Sequence, residues 1–265
     1  MAITAAMVKE LREATGLGMM DCKKALDETG GDIAAAQDML RAKGLTTAEK
    51  KAGRATKEGR VGIKLADDKT SAAIVEVQCE TDFCSRNDEF VGMVADLTDL
   101  AYQANDGEVA ADETITTRLQ ASLAKIGENM SYARGQKISA AKIGTYLHHN
   151  NKVGVIVGVD GEVADETLSD LCMHIAFANP MGITTDDIPA DLVAKEREIA
   201  KAQAIESGKP AEIAEKMVDG KMRKYLAANA LMEQPFVKDD KKTIKEILAG
   251  QTVTAFARYA VGEEG

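Results

Sequence analysis

Residues 79–84, with the sequence Cys-Glu-Thr-Asp-Phe-Cys, hold the side chains best suited to acting on another molecule. Residues 71–78 are rich in β-branched and small residues and predict a strand, whereas residues 86–102 predict a helix. Asp82 and Phe83 therefore lie on a connection between two rigid elements, where binding residues are common. Here an aromatic ring that can insert into a partner stands next to a carboxylate that can present a negative charge to it. The alternative is that Phe83 folds back into the core, as Phe usually does.

Motifs for covalent chemistry are missing from the sequence. It has no phosphate-binding loop, no Gly-x-Ser-x-Gly elbow and no His-Glu-x-x-His pair. His148 and His149 point to opposite faces if the chain is extended there, which argues against a shared metal ion. His174 lies on the inward face of a helical pattern and is interpreted as structural. We predict that the chain is not an enzyme and binds no metal or cofactor.

The sequence has four scattered cysteines, Cys22, Cys79, Cys84 and Cys172. The closest pair has a spacing that matches no zinc motif, and nothing in the sequence indicates an oxidising compartment. We interpret all four as small apolar side chains without metal or disulfide roles.

Composition narrows the classes of function. The 265 residues are 45% hydrophobic and carry a net charge of −10, which argues against direct nucleic-acid binding. The basic residues between 50 and 60 are interspersed with Glu and are interpreted as a solvated linker. No apolar run reaches the length of a membrane span, and the first residues resemble neither a secretory signal nor a transit peptide. We therefore expect a soluble cytoplasmic protein.

Three short helices are predicted in residues 4–43. Thr4 is a plausible N-cap of the first, whose apolar face includes Leu11, and Gly16 ends it. The second covers about 19–28, and the third begins after Asp32 and closes at Gly44. Of Met19 and Met20 we expect one inward and one exposed, since adjacent residues do not share a helix face. Residues 1–52, here called the amino-terminal module, are predicted to form a ubiquitin-associated-like domain.

A strand, turn, strand, helix pattern then occurs twice. Strands at 60–65 and 70–79 precede a helix that we expect to be capped at Ser85, and a further helix spans 115–126. Strands at 136–148 and 153–159 precede a helix at 165–179, and an alternating segment at 252–261 is able to complete the second sheet. The prediction is an α+β fold whose core has two related subdomains, 53–140 and 141–265, each a small antiparallel sheet covered by helices.

Two charged helices, at 191–207 and 211–231, interrupt the second subdomain as an antiparallel hairpin inserted at about 190–231. Such a hairpin is a projecting arm, a contact in a homodimer, or a solvated pair leaning on the core. The sequence leaves these alternatives open.

The motifs of this chain resemble those of the elongation factor Ts family. Residues 15–26, followed by Gly31-Asp32-Ile33, are similar to its amino-terminal signature, and residues 77–83 are similar to its Thr-Asp-Phe motif. Residues 207–210, 213–220 and 234–237 are similar to its arm and the segment after it. Cys84 departs from the family pattern, which usually has an aliphatic residue there.

The resemblance implies a guanine-nucleotide exchange factor for the translational GTPase elongation factor Tu. It implies that Thr81, Asp82, Phe83 and Cys84 enter near the partner's Mg²⁺ site. The amino-terminal module, with Leu11, Met19 and Met20, would dock on the GTPase domain, and Tyr146 and His148 would make further contacts. The alternative is a helical module that binds a polypeptide without exchange activity.

Overall fold

The computed structural model describes residues 3–51, 53–206, 208 and 210–263, and for 44–51 it describes the backbone alone. Three helices at the amino terminus precede two small antiparallel sheets with helices on their outer faces. This architecture confirms the predicted α+β fold. In the described part of the chain, every helix is too short or too polar to traverse a lipid bilayer.

The amino-terminal module contains α1 (Ala5–Thr15), α2 (Met19–Glu28) and α3 (Ile33–Lys51). Thr4 caps α1 by accepting a hydrogen bond from the Met7 amide, and Gly16 ends it in the left-handed region with φ of 68°. Leu11, Cys22 and Leu26 are among the fully buried residues of its core. The predicted end of the third helix at Gly44 is wrong. A Gly inside a helix costs only about 1 kcal/mol, so a single one need not end it.

The first sheet has the order β1-β2-β4-β3 and is antiparallel throughout. Val75 and Val77 of the second strand pack against the covering helices, whereas Ile74 faces the other way. The elements of this half are β1 (Glu58–Leu65), β2 (Ser71–Cys79), α4 (Asp82–Ser85), α5 (Asp88–Gln103), β3 (Gly107–Glu108), α6 (Glu113–Ile126) and β4 (Met130–Ser139).

The second sheet has the order β5-β6-β9, which confirms that the last alternating segment completes it. The predicted single strand at 136–148 is wrong, because the chain leaves the first sheet after Ser139 and enters the second at Lys142. The elements of this half are β5 (Lys142–Leu147), β6 (Val153–Asp160), α7 (Asp165–Ala178), α8 (Ala190–Glu206), α9 (Ala211–Asn229), β7 (Pro235–Phe236), β8 (Asp239–Thr243), α10 (Ile244–Ile247) and β9 (Thr252–Ala260). Strands β7 and β8 pair with each other in a separate two-stranded sheet.

The two sheets pack face to face. Ile74 and Ile138 of the first sheet meet Ile156 and Tyr259 of the second in one buried cluster. Helices α5 and α6 cover the outer face of the first sheet, and α7 covers that of the second. Central strands are therefore buried on both faces, which explains why β2 and β6 are nearly continuous apolar runs.

The predicted helical hairpin is present as α8 and α9. The two helices pack through buried Ala200, Ala204, Val218 and Met222. Ser207 and Lys209, two residues of the segment 207–210 that resembles the family's arm, lie outside the described residues. Self-association through this arm stays a prediction.

His174 is a structural residue, as the sequence predicts. Its side chain is 2% exposed, and its Nδ1 accepts the Val237 amide at 3.3 Å while its Nε2 faces Gln234 Oε1 at 2.9 Å. The amide donor requires an unprotonated Nδ1, so the ring is neutral and Nε2 is the donor to Gln234. Burial lowers the pKa of His174 below its usual value, although the Gln234 hydrogen bond acts in the opposite direction.

Lowering the pH below about 6.5, where an unfolded His becomes protonated, should therefore reduce the free energy of unfolding. The unfolded chain then binds a proton that the folded chain resists, so stability is complete above this pH and falls toward the lower folded pKa. Urea titrations at pH 7.5 and 5.5 measure the effect, with His174→Asn expected to show a smaller pH dependence. His149→Asn, at an exposed position, is the control. An equal dependence in all three proteins would contradict the assignment.

Candidate functional site

The Thr-Asp-Phe segment is a single helical turn rather than an irregular connection. Thr81 is the N-cap of α4, and its side-chain oxygen accepts a hydrogen bond from the Cys84 amide at 3.2 Å. Asp82 and Phe83 are the first two residues of that turn. The following helix begins at Asp88 and is capped by Asn87, so the predicted cap at Ser85 is wrong.

Phe83 projects from this turn into solvent. Its side chain is 83% exposed, whereas the next two residues, Cys84 and Ser85, are buried beneath it. The alternative that Phe83 folds into the core is therefore wrong. An exposed Phe on a turn with a buried base is a preformed contact, because the turn needs no rearrangement to present the ring.

Asp82 presents its charge next to the ring. Its side chain is 43% exposed and lies 3.1 Å from the guanidinium of Arg86, one turn further on. Such an exposed pair contributes about 0–1 kcal/mol, so little energy is needed to break it. The carboxylate is therefore available to an incoming cation or hydrogen-bond donor.

Glu128 clamps the cap residue of the turn. One carboxylate oxygen accepts the Thr81 amide at 3.1 Å, and the other accepts the Thr81 hydroxyl at 2.8 Å. Hydrogen bonds to a charged acceptor contribute about 1.5–3 kcal/mol each. Glu128 carries no sequence signal for this role, because it lies 47 residues from Thr81 and belongs to no local pattern.

Glu80, the residue before the cap, is held by Asn129, the residue after Glu128. The Glu80 carboxylate accepts the Asn129 amide at 2.6 Å, and Arg54 lies 3.4 Å from the same oxygen. The Asn129 side chain in turn donates to the Arg54 carbonyl at 2.8 Å. The turn is therefore supported both at Thr81 and at Glu80 before it, by residues that no local sequence pattern marks.

Cys79, two residues before the cap, and Cys84, within the turn, are buried and free. Cys84 is 3% exposed, which places this departure from the family pattern in the core and not at the tip. A hydrogen bond with Cys84, together with burial, raises the pKa of Cys79 well above its usual value. Cys79 therefore stays a protonated thiol at neutral pH, which does not suit a nucleophile.

Met19 and Met20 are both on the surface. They are 58% and 74% exposed, because the inward face of α2 is formed instead by Cys22, Ala25 and Leu26. The prediction that one of the two methionines points inward is wrong. Both line an open groove of about 910 Å³ between the start of α2 and the side chains of α1.

Leu11, the third predicted docking residue, is fully buried in the core of the amino-terminal module. In this conformation its side chain is closed to a partner, so its placement among the docking residues is wrong. Its packing supports the helices that carry the exposed methionines.

Tyr146 and His148 form a linked pair at the end of β5. The Tyr146 hydroxyl lies 2.7 Å from His148 Nδ1, and both side chains are half-buried. The prediction that His148 and His149 point apart is wrong, because the strand ends at Leu147 and the two ring centroids are 4.2 Å apart. Within the described residues, no cluster of three or more His, Cys, Asp or Glu side chains is arranged to hold a metal ion.

Comparisons with known proteins identify the family. The model of the family described as Elongation factor TS matches residues 80–263. Elongation factor Ts of Hahella chejuensis is 47% identical over 266 residues, which cover 99% of this chain and 93% of the relative. The protein of the same name from Thioalkalivibrio sulfidiphilus is 48% identical over 279 residues, with 99% and 93% covered. The chain belongs to the elongation factor Ts family.

Membership in the elongation factor Ts family makes the chain a translation elongation factor that acts in nucleotide exchange. The geometry around Thr81 is suited to such a role. A preformed turn presents one ring and one carboxylate, and the exposed methionines offer a second apolar contact. The arrangement is suited to binding and displacement.

Proposed function

We propose that the chain binds elongation factor Tu in its GDP form and promotes release of GDP by disturbing the partner's Mg²⁺ and phosphate site. Phe83, 83% exposed on a clamped turn, is the observation that carries this proposal. Thr81 and α4 are called the exchange turn below. Phe83 wedges into the GTPase domain, and Asp82 brings its carboxylate toward the bound cation and diphosphate.

Disturbing the cation weakens GDP binding for an electrostatic reason. Mg²⁺ is the largest positive charge in a nucleotide site, and the diphosphate loses affinity when that charge is displaced. The Mg²⁺ belongs to the partner and is not a cofactor of this chain. No covalent bond forms or breaks in the exchange step.

Exchange follows from coupled binding equilibria. The factor and GDP bind the same GTPase in a shared complex. The factor therefore lowers the affinity of the GTPase for GDP by the same ratio by which GDP lowers its affinity for the factor. The factor stays bound to the nucleotide-free GTPase until GTP enters and displaces it by the same reciprocity. This action places the protein where translation occurs, in the cytoplasm, without direct contact to nucleic acid.

Three parts of the chain have different roles in this function. Residues 1–52 dock on the GTPase through Met19 and Met20, and residues 53–140 carry the exchange turn. Residues 141–265 make further contacts through Tyr146 and His148 and carry the arm at about 190–231. Support for the division comes from the three-helix core and the separate sheets.

The direct test is release of a fluorescent GDP analogue from elongation factor Tu in the presence of excess unlabelled GDP. Adding the intact chain is expected to accelerate release in a saturable manner. Absence of acceleration by the folded chain would overturn the proposal. Polypeptide binding without acceleration would instead favour the helical binding module.

The docking contact can be tested separately from the exchange turn. Met20→Lys and Met19→Lys are each expected to raise the half-saturating concentration of the factor about tenfold, since each loses a large part of the ~1.5–3 kcal/mol of Met burial. Thermal stability should change little, because both side chains are already exposed. Met181→Lys, at a 47% exposed Met beyond α7, is the matched control. Native affinity in both variants would remove Met19 and Met20 from the interface.

A further inference from the structure

The turn after α6 contacts three other segments of the chain. Gly127 ends the helix in the left-handed region with φ of 83° and reverses the backbone. The residues around this reversal, 125–129, then reach the amino-terminal module, the segment that leads from it, and the exchange turn. These contacts use the side chains of Lys125, Glu128 and Asn129.

Lys125 lies against the amino-terminal module. A Cβ on Gly16 would lie 2.8 Å from Lys125 Cε and 3.2 Å from Cδ, so the alkyl chain covers the loop between α1 and α2. That loop leads directly to Met19. The ammonium group of Lys125 reaches the Glu89 carboxylate on α5 at 3.2 Å. One side chain therefore spans the module and the helix that follows the exchange turn.

Glu89 is a firm anchor for this ammonium group. Its other oxygen accepts the Ser122 hydroxyl at 2.7 Å and faces Arg118 at 3.3 Å. Burial acts against its charge, but the hydrogen bonds from Ser122 and Lys125 outweigh that effect and lower the pKa of Glu89. Glu89 therefore stays ionised at neutral pH and fixes Lys125.

Glu128 and Asn129 hold the other two segments. Both oxygens of Glu128 accept hydrogen bonds from Thr81, the cap of the exchange turn. Asn129 holds the carbonyl of Arg54, which follows the amino-terminal module closely in sequence. Thus three side chains within one five-residue segment contact both parts of the chain proposed to bind the partner.

We propose that residues 125–129 form a bracket that holds the amino-terminal module and the exchange turn in one relative orientation, with Lys125 and Glu128 as positioning residues for exchange. This inference rests on the exchange function proposed above. Two contacts on one partner reinforce each other only when their spacing matches, because the second then forms at high effective concentration. The bracket supplies that spacing.

Lys125→Met tests the contact between the bracket and the amino-terminal module. Met keeps an unbranched chain over Gly16 but loses the ion pair with Glu89. In the GDP-release assay we expect the half-saturating concentration to rise about tenfold, with the rate at saturation nearly unchanged. Lys64→Met is the matched control, since Lys64 lies on β1 and also pairs with a carboxylate of α5, that of Asp99, at 2.6 Å.

Glu128→Gln tests the contact between the bracket and the exchange turn. The two Thr81 hydrogen bonds are accepted by separate oxygens of Glu128, and Gln replaces one of these oxygens with an amide nitrogen that can only donate, so this pattern is lost. We expect the release rate at saturation to fall about tenfold, with a smaller change in half-saturation. Glu162→Gln, at an exposed position between β6 and α7, is the control.

A double variant separates positioning from simple loss of stability. If the bracket orients the module, Met20→Lys should cost less affinity in the Lys125→Met background than in the intact chain, because the module already contributes less. Additive effects of the two substitutions would overturn the role of Lys125. Variants that behave like their controls in half-saturation and rate would overturn the whole bracket.

Hydrogen exchange in the free chain supplies a readout independent of GDP release. Glu128→Gln is expected to speed exchange of the Thr81 and Cys84 amides at least tenfold, whereas Glu162→Gln leaves them unchanged. Unchanged protection in Glu128→Gln would overturn the clamp even if the intact chain is an active exchange factor. Faster exchange in that variant, with no GDP release by the intact chain, would retain the clamp and overturn the proposed function.

Discussion

Replacing Phe83 with Ala is expected to lower the maximal rate of GDP release from elongation factor Tu by about 10- to 100-fold. Burying a Phe side chain contributes about 1.5–3 kcal/mol, and each 1.4 kcal/mol corresponds to a factor of ten. The free protein should keep its stability, since the 83% exposed ring makes few contacts there. Stopped-flow release at saturating factor, together with thermal unfolding, measures both quantities.

Phe177 provides the matched control for this experiment. It lies near the end of α7, is 79% exposed, and is as large and apolar as Phe83. Phe177→Ala should leave the release rate near that of the intact chain, because the wedge depends on position and not on exposure alone. A normal rate for Phe83→Ala, or an equal loss in both variants, would contradict the wedge mechanism.

Replacing Arg134 with Met is expected to reduce the free energy of unfolding by about 3–5 kcal/mol, the usual cost of removing one partner of a buried ion pair. Glu76 is fully buried within the first sheet, and its carboxylate accepts Arg134 Nε at 2.8 Å. The same carboxylate accepts the Gly262 amide at 3.2 Å and the Gln78 side chain at 2.9 Å. Without Arg134, the buried Glu76 carboxylate loses its cationic partner. Urea unfolding at pH 7.5 measures the loss.

Two further variants show whether the buried charge causes this loss. The double variant Glu76→Leu with Arg134→Met should be more stable than Arg134→Met alone, because it removes the unpaired charge. Arg197→Met, which removes an exposed pair with Asp219 at 3.8 Å, should cost less than about 1 kcal/mol. A double variant no more stable than Arg134→Met would attribute the loss to packing instead.

Arg134 also lies at the joint between the two halves of the core. The Arg134 guanidinium carbon lies 4.5 Å from the ring centroid of Tyr259, on the last strand of the second sheet. Its terminal nitrogen also faces the carbonyl of Ala260 at 3.4 Å. Loss of Arg134 is therefore expected to loosen the carboxyl-terminal segment against the first sheet as well as destabilise the fold.

Local structure was largely predictable. The Thr4 cap and Gly16 stop, the hairpin between β1 and β2, and the apolar face of α7 depend on residues close together in sequence. Such signals come from backbone geometry and side-chain periodicity, which act over a few residues. The errors at Gly44 and Ser85 concern element ends, where neighbouring residues offer competing caps and stops.

Part of the candidate site was also predictable. The motif at 79–84 predicted a surface wedge, and the exposure of Phe83 agrees with it. The supporting residues were not predictable, since Glu128 contacts Thr81 from 47 positions away and Arg134 contacts Glu76 from 58. Leu11 was misplaced because helical periodicity marks an apolar face without saying what covers it.

The sequence by itself determined the α+β class, the order and type of most of the long elements, and the motifs shared with the elongation factor Ts family. Only the tertiary structure decided that Phe83 and both methionines are exposed, that the chain changes sheets at residues 140–141, and that residues 125–129 join distant segments. Exposure and long-range pairing depend on how sheets and helices pack against one another. Packing brings together residues that no local pattern relates.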